Sequence, residues 1–169
     1  RDVMGWSLSE GAASMLDRFA RGGGGLLALH SAVICFDAHP VWRELCGAAW
    51  SWEASSHPPL GVVDVSMTEA GRRHEITAGL EDFRVEDEVY RCLDEDDALV
   101  PLLTAFADGR AHPLLWAREV GAGRVVTDLL GHGTASLLEP THRQVLARAV
   151  AWVRPDRPAT THGAVSAHG

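Results

Sequence analysis

One stretch of the sequence says most about the fold of this chain: Gly22-Gly23-Gly24-Gly25-Leu26-Leu27-Ala28-Leu29-His30-Ser31-Ala32. The glycines allow a tight turn after a preceding helix, and the apolar residues 26–29 are typical of a short buried strand. His30 therefore falls at the carboxyl end of that strand, at the edge where open α/β sheets bind ligands. The alternative is a core histidine whose ring is satisfied by its neighbours.

Helices and strands are predicted on both sides of this stretch. Ser7-Leu8-Ser9-Glu10 has the pattern of a capping box, which predicts a helix that ends at the glycine run. A second helix is predicted over residues 40–45, and the apolar spacing of Val145, Ala149 and Val153 predicts a closing helix over residues 140–153. Strands are predicted over residues 61–65, 88–93, 98–105, 114–119 and 124–129. Gly121-Ala122-Gly123 joins the last two strands as a hairpin, and the element order predicts an α/β layer fold.

Length and composition indicate one soluble domain. The chain has 169 residues, of which 46% are hydrophobic and 22% charged, as in ordinary globular proteins. A net charge of −8 without a Lys/Arg run argues against a nucleic-acid partner, and a small molecule fits better. Three cysteines without paired spacing are expected to be free thiols.

No membrane partner is expected, because no apolar run approaches the ~20 residues that cross a bilayer. The first residues do not form a signal peptide, so we expect a cytoplasmic protein. Residues 1–153 are predicted to form the domain. Residues 154–169 lack large apolar side chains and are predicted to be a disordered tail.

A second histidine repeats the arrangement of His30. Leu130-Gly131-His132-Gly133 follows the predicted strand over residues 124–129. If the two strands are parallel, His30 and His132 point into one crevice, where either ring could act as a general base or ligate a metal. The alternative is that His132 only hydrogen-bonds a turn.

Carboxylates occur in the run Glu86-Asp87-Glu88, at the start of a predicted strand. Such a run often forms a solvated acidic loop. Strand alternation places Asp87 on the face opposite Glu86 and Glu88, so the three cannot serve one site. We therefore expect Glu88, with Tyr90 on the same face, to act in catalysis or to orient a histidine ring.

An aromatic loop lies between the second helix and the next strand. Trp50 and Trp52 could stack on the face of a sugar, and His57 lies in a turn-rich segment that can bring its ring over a pocket. These residues, with Tyr90, are the predicted substrate-binding set. Core packing of large aromatics is the alternative for the tryptophans.

Five segments, taken in order, resemble the trehalose-utilisation (ThuA-like) family. They are the glycine run through His30, the segment from Leu45 to Trp50 with Ser56-His57-Pro58, His74-Glu-Ile-Thr-Ala-Gly-Leu80, Asp87-Glu-Val-Tyr90, and Gly123-Arg-Val-Val-Thr-Asp-Leu-Leu-Gly-His132-Gly. Each segment is weak alone, but five in this order, followed by a closing helix, are specific. The resemblance covers nearly all of residues 7–153.

The resemblance implies a flavodoxin-like three-layer sandwich with a mainly parallel sheet, related to class I glutamine amidotransferases, and a role in carbohydrate catabolism. His30 stands where the amidotransferase relatives carry a nucleophilic cysteine, so cysteine chemistry is not expected. Family members begin with a further strand, helix and strand, so the resemblance implies either an N-terminally truncated chain or a minimal version of the fold. Without those strands, exposed sheet edges favour a homo-oligomer.

The leading functional hypothesis is an enzyme that acts on a sugar or keto-sugar derivative. His30 or His132 would be the base for a proton beside a keto group, and Glu88 would orient one ring. A divalent metal held by two of His30, His57 and His132 could polarise the carbonyl. The alternatives are a non-catalytic carbohydrate- or partner-binding module and a cysteine hydrolase.

Overall fold

A computed structural model of the chain describes residues 7–155. The prediction of a disordered tail falls almost entirely on residues 156–169, outside the described residues. The α-helices are α1 (Glu10–Arg21), α2 (Pro40–Cys46), α3 (Glu69–Arg73), α4 (Thr134–Leu138) and α5 (Pro140–Val153), and a 3₁₀ helix covers His30–Ala38. The strands are β1 (Gly25–Leu29), β2 (Ala48–Ala49), β3 (Gly61–Met67), β4 (Phe83–Asp87), β5 (Asp94–Glu95), β6 (Pro101–Ala107), β7 (Arg110–Val120) and β8 (Gly123–Asp128).

The main sheet has six strands in the order β1-β8-β7-β6-β3-β4. The β1–β8 pair is parallel, with Leu29 opposite Asp128, whereas the other pairs among the described residues are antiparallel. The α/β class is therefore confirmed, but the prediction of a mainly parallel sheet is not, because the sheet is mixed. Hairpins cause the difference: Asp108 and Gly109, both with positive φ, turn β6 directly into β7.

Helices pack on both faces of the parallel strand pair. Leu27 and Val126 contribute to the apolar cluster that contains α5, whereas Leu26 and Val125 belong to the cluster that contains α1 and α2. Successive strand residues point to opposite faces, so the hydrophobic runs of β1 and β8 bury both faces. Backbone burial on both sides fixes the carboxyl ends of these strands in place.

Local predictions at the helices hold, with one correction. The closing helix spans the predicted residues 140–153, and the short helix over residues 40–45 is confirmed as α2. The first helix begins at Glu10 rather than next to Ser7. Ser9 is the N-cap, and its hydroxyl accepts a hydrogen bond from the Ala12 amide at 3.3 Å.

The strand predicted over residues 88–93 is wrong. The strand is β4, which ends at Asp87, and the following segment is irregular. In β4 the side chains of Val85 and Asp87 are buried, so a charged residue occupies a core-facing position. No helix within residues 7–155 is both long and apolar enough to cross a membrane.

Candidate functional site

His30 is the first residue after β1 and has a left-handed backbone, with φ of +48°. Its Nδ1 lies 2.9 Å from the carbonyl oxygen of Leu129, the residue that follows β8. A carbonyl only accepts hydrogen bonds, so Nδ1 carries the hydrogen. In the neutral ring, Nε2 is therefore the atom with a free electron pair, and it faces the centre of the site.

The loop after β8 is held by the carboxylate of Asp87, which is buried. One oxygen of Asp87 accepts a hydrogen bond from the Gly131 amide at 2.7 Å. The other accepts from the amides of Glu88 at 2.8 Å and His132 at 3.4 Å. Gly131 has φ of +115°, which an L side chain rarely adopts. This turn sets the position of the His132 ring.

Glu88 lies at the centre of the site, directly after β4, and is only 7% exposed. Its Oε2 is 3.3 Å from Nδ1 of His132 and 3.7 Å from Nε2 of His30. Its Oε1 is 3.1 Å from Nδ1 of His57. Three imidazoles thus surround one buried carboxylate, whose oxygens can accept hydrogen bonds from ring N–H groups.

The hydroxyl of Tyr90 lies 3.1 Å from Nε2 of His30. Burial raises the pKa of Tyr90 well above its usual value, and the charges of Glu88 and Asp87 raise it further. The phenol therefore stays protonated and serves as a hydrogen-bond donor to Nε2 of His30. It could instead donate to an oxygen of a ligand bound in the site.

Aromatic rings form one wall of the site. The ring of Trp50 is 5.3 Å from that of Tyr90, 6.1 Å from that of His57 and 6.2 Å from that of Trp52. Trp52 is 47% exposed, so its ring is open to a ligand. A β-bridge between Ser56 and Arg91 brings this loop next to the segment that carries Glu88 and Tyr90.

The structure brings all seven predicted site residues into one cluster: His30, Trp50, Trp52, His57, Glu88, Tyr90 and His132. One donor atom from each of His30, Glu88 and His132 lies within 4.8 Å of the others, close enough to share a metal ion. Nδ1 of His57 is not available as a metal ligand, because it lies 3.0 Å from the Pro58 carbonyl and so carries a hydrogen that it donates.

Sequence reasoning missed two supporting carboxylates. It placed Asp87 away from the site face, which is correct for its side chain, but did not find its role under the β8 loop. It also missed a buried pair in which Nε2 of His142 is 3.0 Å from Oδ2 of Asp128. His142 lies three residues before Val145 on the buried face of α5, so its place in the apolar stripe was a usable signal.

His142 is charged in this pair. Its Nδ1 lies 2.8 Å from the carbonyl of Ser136, so both ring nitrogens face acceptors. Burial lowers the pKa of His142, but the hydrogen bond and charge of Asp128 outweigh that effect and raise it overall. Oδ1 of Asp128 also accepts from the Leu130 amide at 3.0 Å, which connects the pair to the loop that carries His132.

Two of the three cysteines lie in surroundings that keep the thiol protonated. Burial raises the pKa of Cys35, and burial raises that of Cys46 to about 12. Neither thiol is therefore an activated thiolate at neutral pH. Cys92 is exposed, and its Sγ accepts a hydrogen bond from the Arg110 guanidinium at 3.2 Å.

The profile of the ThuA family, described as trehalose utilisation, matches residues 4–153. Among curated proteins, none matches the sequence significantly. Among solved structures, the chain is similar to a ThuA-like protein from Parabacteroides merdae ATCC 43184. That match has a TM-score of 0.75 and 19% identity, and it covers 92% of this chain and 70% of the other.

A ThuA-like protein from Bacteroides uniformis ATCC 8492 is also similar, with a TM-score of 0.70 and 18% identity over 87% of this chain and 65% of that one. A β-galactosidase from Rahnella sp. R3 matches with a TM-score of 0.59 and 16% identity, over 87% of this chain and 21% of that one. At these identities the structural matches support the fold alone.

Proposed function

The chain belongs to the ThuA family of trehalose utilisation, and from that premise we propose that it is an enzyme acting on a sugar or keto-sugar derivative. The proposal rests on one observation. His30, Glu88 and His132 lie together at the carboxyl ends of β1, β4 and β8, beside an exposed tryptophan. Titratable rings around a buried carboxylate are suited to general acid–base catalysis.

The first step would be proton abstraction from a carbon beside a keto group. In a 3-keto-glycoside this carbon lies between the keto carbon and the anomeric carbon. Nε2 of His30 takes the proton, and the electron pair of the C–H bond moves toward the carbonyl oxygen to give an enolate. Glu88 stabilises the imidazolium that forms, since its Oε2 is 3.7 Å from Nε2.

Tyr90 and His132 supply the other groups that this reaction needs. The protonated Tyr90 hydroxyl can donate a hydrogen bond to the enolate oxygen. His132, whose ring is 5.3 Å from that of His30, can donate a proton to the departing anomeric oxygen as the enolate collapses. The result is elimination, and addition of water would complete a hydrolysis. Return of the proton to another carbon would give isomerisation.

The aromatic loop would bind the sugar ring. Trp50 packs on Tyr90 and Trp52 extends the wall toward solvent, so one face of a pyranose could stack there. The same wall supports the second candidate function, a carbohydrate-binding module without catalysis. Turnover distinguishes the two, because a binding module saturates with sugar and forms no product.

The test is the conversion of 3-keto-glycosides by the wild-type chain and by His30→Asn. We expect the variant to lose about 10²–10⁴-fold in turnover, the usual contribution of a general base. The matched control is His39→Asn, because His39 caps α2 through Nδ1 and asparagine is a good N-cap. Unchanged turnover in His30→Asn would contradict the proposal, and sugar binding without product would favour the binding module.

A further inference from the structure

We infer that His30, Glu88 and His132 bind one divalent metal ion of the zinc type. The inference rests on the proposed function, since it assigns a cofactor to the same site. It gives His30 one role in each state of the site, because an electron pair of Nε2 that ligates an ion cannot also take a proton: His30 is a ligand when the ion is bound and the base when it is not. Two imidazole nitrogens and one carboxylate oxygen are a ligand set that zinc takes in catalytic sites. One donor atom of each of the three residues lies within 4.8 Å of the others.

Two of the three distances between donor atoms are close to those around a tetrahedral ion. Ligands about 2.0–2.2 Å from a tetrahedral zinc ion lie about 3.3–3.6 Å from one another. Oε2 of Glu88 is 3.3 Å from Nδ1 of His132 and 3.7 Å from Nε2 of His30. The donor nitrogens of His30 and His132 lie no more than 4.8 Å apart, so an ion between the three atoms would draw the two rings toward it.

Hydrogen bonds behind the ligands already hold them in the orientation that a metal needs. Metal-binding histidines commonly donate their second ring nitrogen to a carbonyl or carboxylate. Nδ1 of His30 does so to the Leu129 carbonyl at 2.9 Å, so Nε2 is the ring nitrogen that would ligate, and an ion there would replace its hydrogen bond with the Tyr90 hydroxyl at 3.1 Å. Oε1 of Glu88, on the side away from the proposed ion, lies 3.1 Å from Nδ1 of His57.

The site keeps an open side, as catalytic zinc sites do. The side chains of His30 and Glu88 are 14% and 9% exposed, whereas that of His132 is 41% exposed. A fourth ligand, water or a substrate oxygen, can therefore reach the ion past His132. An ion in this place would polarise a keto oxygen of the sugar.

The experiment measures metal binding without substrate. The full chain is stripped with a chelator, and Zn²⁺ is then titrated calorimetrically, with elemental analysis of the loaded protein. We expect one Zn²⁺ per chain in the wild type. We also expect Co²⁺ to give visible absorption bands of a tetrahedral site, which zinc then displaces.

Three variants test the ligand assignment. His132→Ala, at an exposed position, and the near-isosteric Glu88→Gln should both lose stoichiometric binding while their circular dichroism stays that of the wild type. His57→Gln should keep the stoichiometry but bind about 10–100-fold more weakly, as expected for a partner behind a ligand. A double variant with His162→Ala and His168→Ala controls for adventitious binding by histidines outside the described residues, and it should bind like the wild type.

The inference is overturned if the wild type binds no stoichiometric Zn²⁺, if binding survives unchanged in His132→Ala, or if the double variant abolishes it. This result is separable from that for the proposed function. Metal binding without sugar turnover would refute only the proposed enzyme. Turnover by a chain that binds no Zn²⁺ would refute only the metal site.

Discussion

Oδ2 of Asp87 accepts a hydrogen bond from the backbone amide of Gly131 at 2.7 Å, which connects the end of β4 to the loop after β8. The residue that follows each of these two is a site residue: Glu88 follows Asp87, and His132 follows Gly131. The distance between the Glu88 carboxylate and the His132 ring therefore depends on a buried carboxylate that accepts hydrogen bonds from the backbone amides of both segments.

Substitution Asp87→Asn should destabilise the fold and disturb the site. Both oxygens of Asp87 accept from backbone amides, so the NH₂ group of asparagine meets an N–H group in either orientation. We expect a loss of about 1–3 kcal/mol in the free energy of unfolding, measured in urea. Asp64→Asn, at an exposed ion pair with Arg84, is the control and should change stability little. Equal stability of Asp87→Asn and wild type would contradict this role.

The left-handed backbone of His30 should affect the stability of two variants at this position. Both His30→Ala and His30→Gly remove the ring, but only glycine adopts φ of +48° without strain. We expect His30→Gly to be more stable than His30→Ala by about 1 kcal/mol. At Ser31, which lacks a positive φ, the order should reverse. The same order at both positions would show that His30 is not strained.

The buried pair Asp128–His142 predicts a pH dependence of stability. Its hydrogen bond and charge raise the folded-state pKa of His142 above the unfolded value of about 6.5, against the effect of burial. The stabilisation is therefore complete below about pH 6.5 and is lost as the pH rises through the folded pKa. The advantage of wild type over His142→Gln in unfolding free energy should shrink with rising pH. An advantage that stays constant or grows would contradict a charged His142.

The aromatic wall predicts a separation of binding from catalysis. Trp52 is exposed and lies beyond Trp50 from the reacting groups, so Trp52→Ala should raise KM and leave kcat unchanged. A lost stacking contact of about 0.5–1.5 kcal/mol corresponds to about two- to tenfold in KM. Phe106→Ala, which removes an exposed ring on β6, should change neither constant. A fall in kcat alone would assign Trp52 another role.

The sequence was sufficient to place the edge of the sheet that carries the candidate site. The glycine run and the apolar residues 26–29 predicted β1, and the similar pattern before His132 predicted β8. The direct pairing of the two strands is a finding of the structure. His30 and His132 were expected in one crevice, and their rings are 5.3 Å apart. These predictions rest on local patterns, and local patterns survive when the rest of the sheet is arranged differently.

The parts that failed depend on long-range contacts. β4 was misplaced because Asp87 interrupts its hydrophobic pattern, and the Gly131 amide that satisfies this carboxylate is distant in sequence. The mainly parallel sheet came from the family resemblance, whereas Asp108-Gly109, a common hairpin dipeptide, was a readable sign of the antiparallel β6–β7 pair. The pairing of Asp128 with His142 could not be read from either residue alone.

Hydrogen–deuterium exchange in D₂O tests most directly whether His30 and Glu88 move a proton on a keto sugar. A 3-keto-glycoside is incubated with the chelator-stripped chain, so that no ion occupies Nε2 of His30, and the proton beside the keto group is followed by NMR. We expect the proton beside the keto group to exchange well above the buffer rate with the wild type and with His39→Asn. With His30→Asn it should exchange at the buffer rate. Exchange at the buffer rate in the wild type, or equal exchange in His30→Asn, would contradict this account.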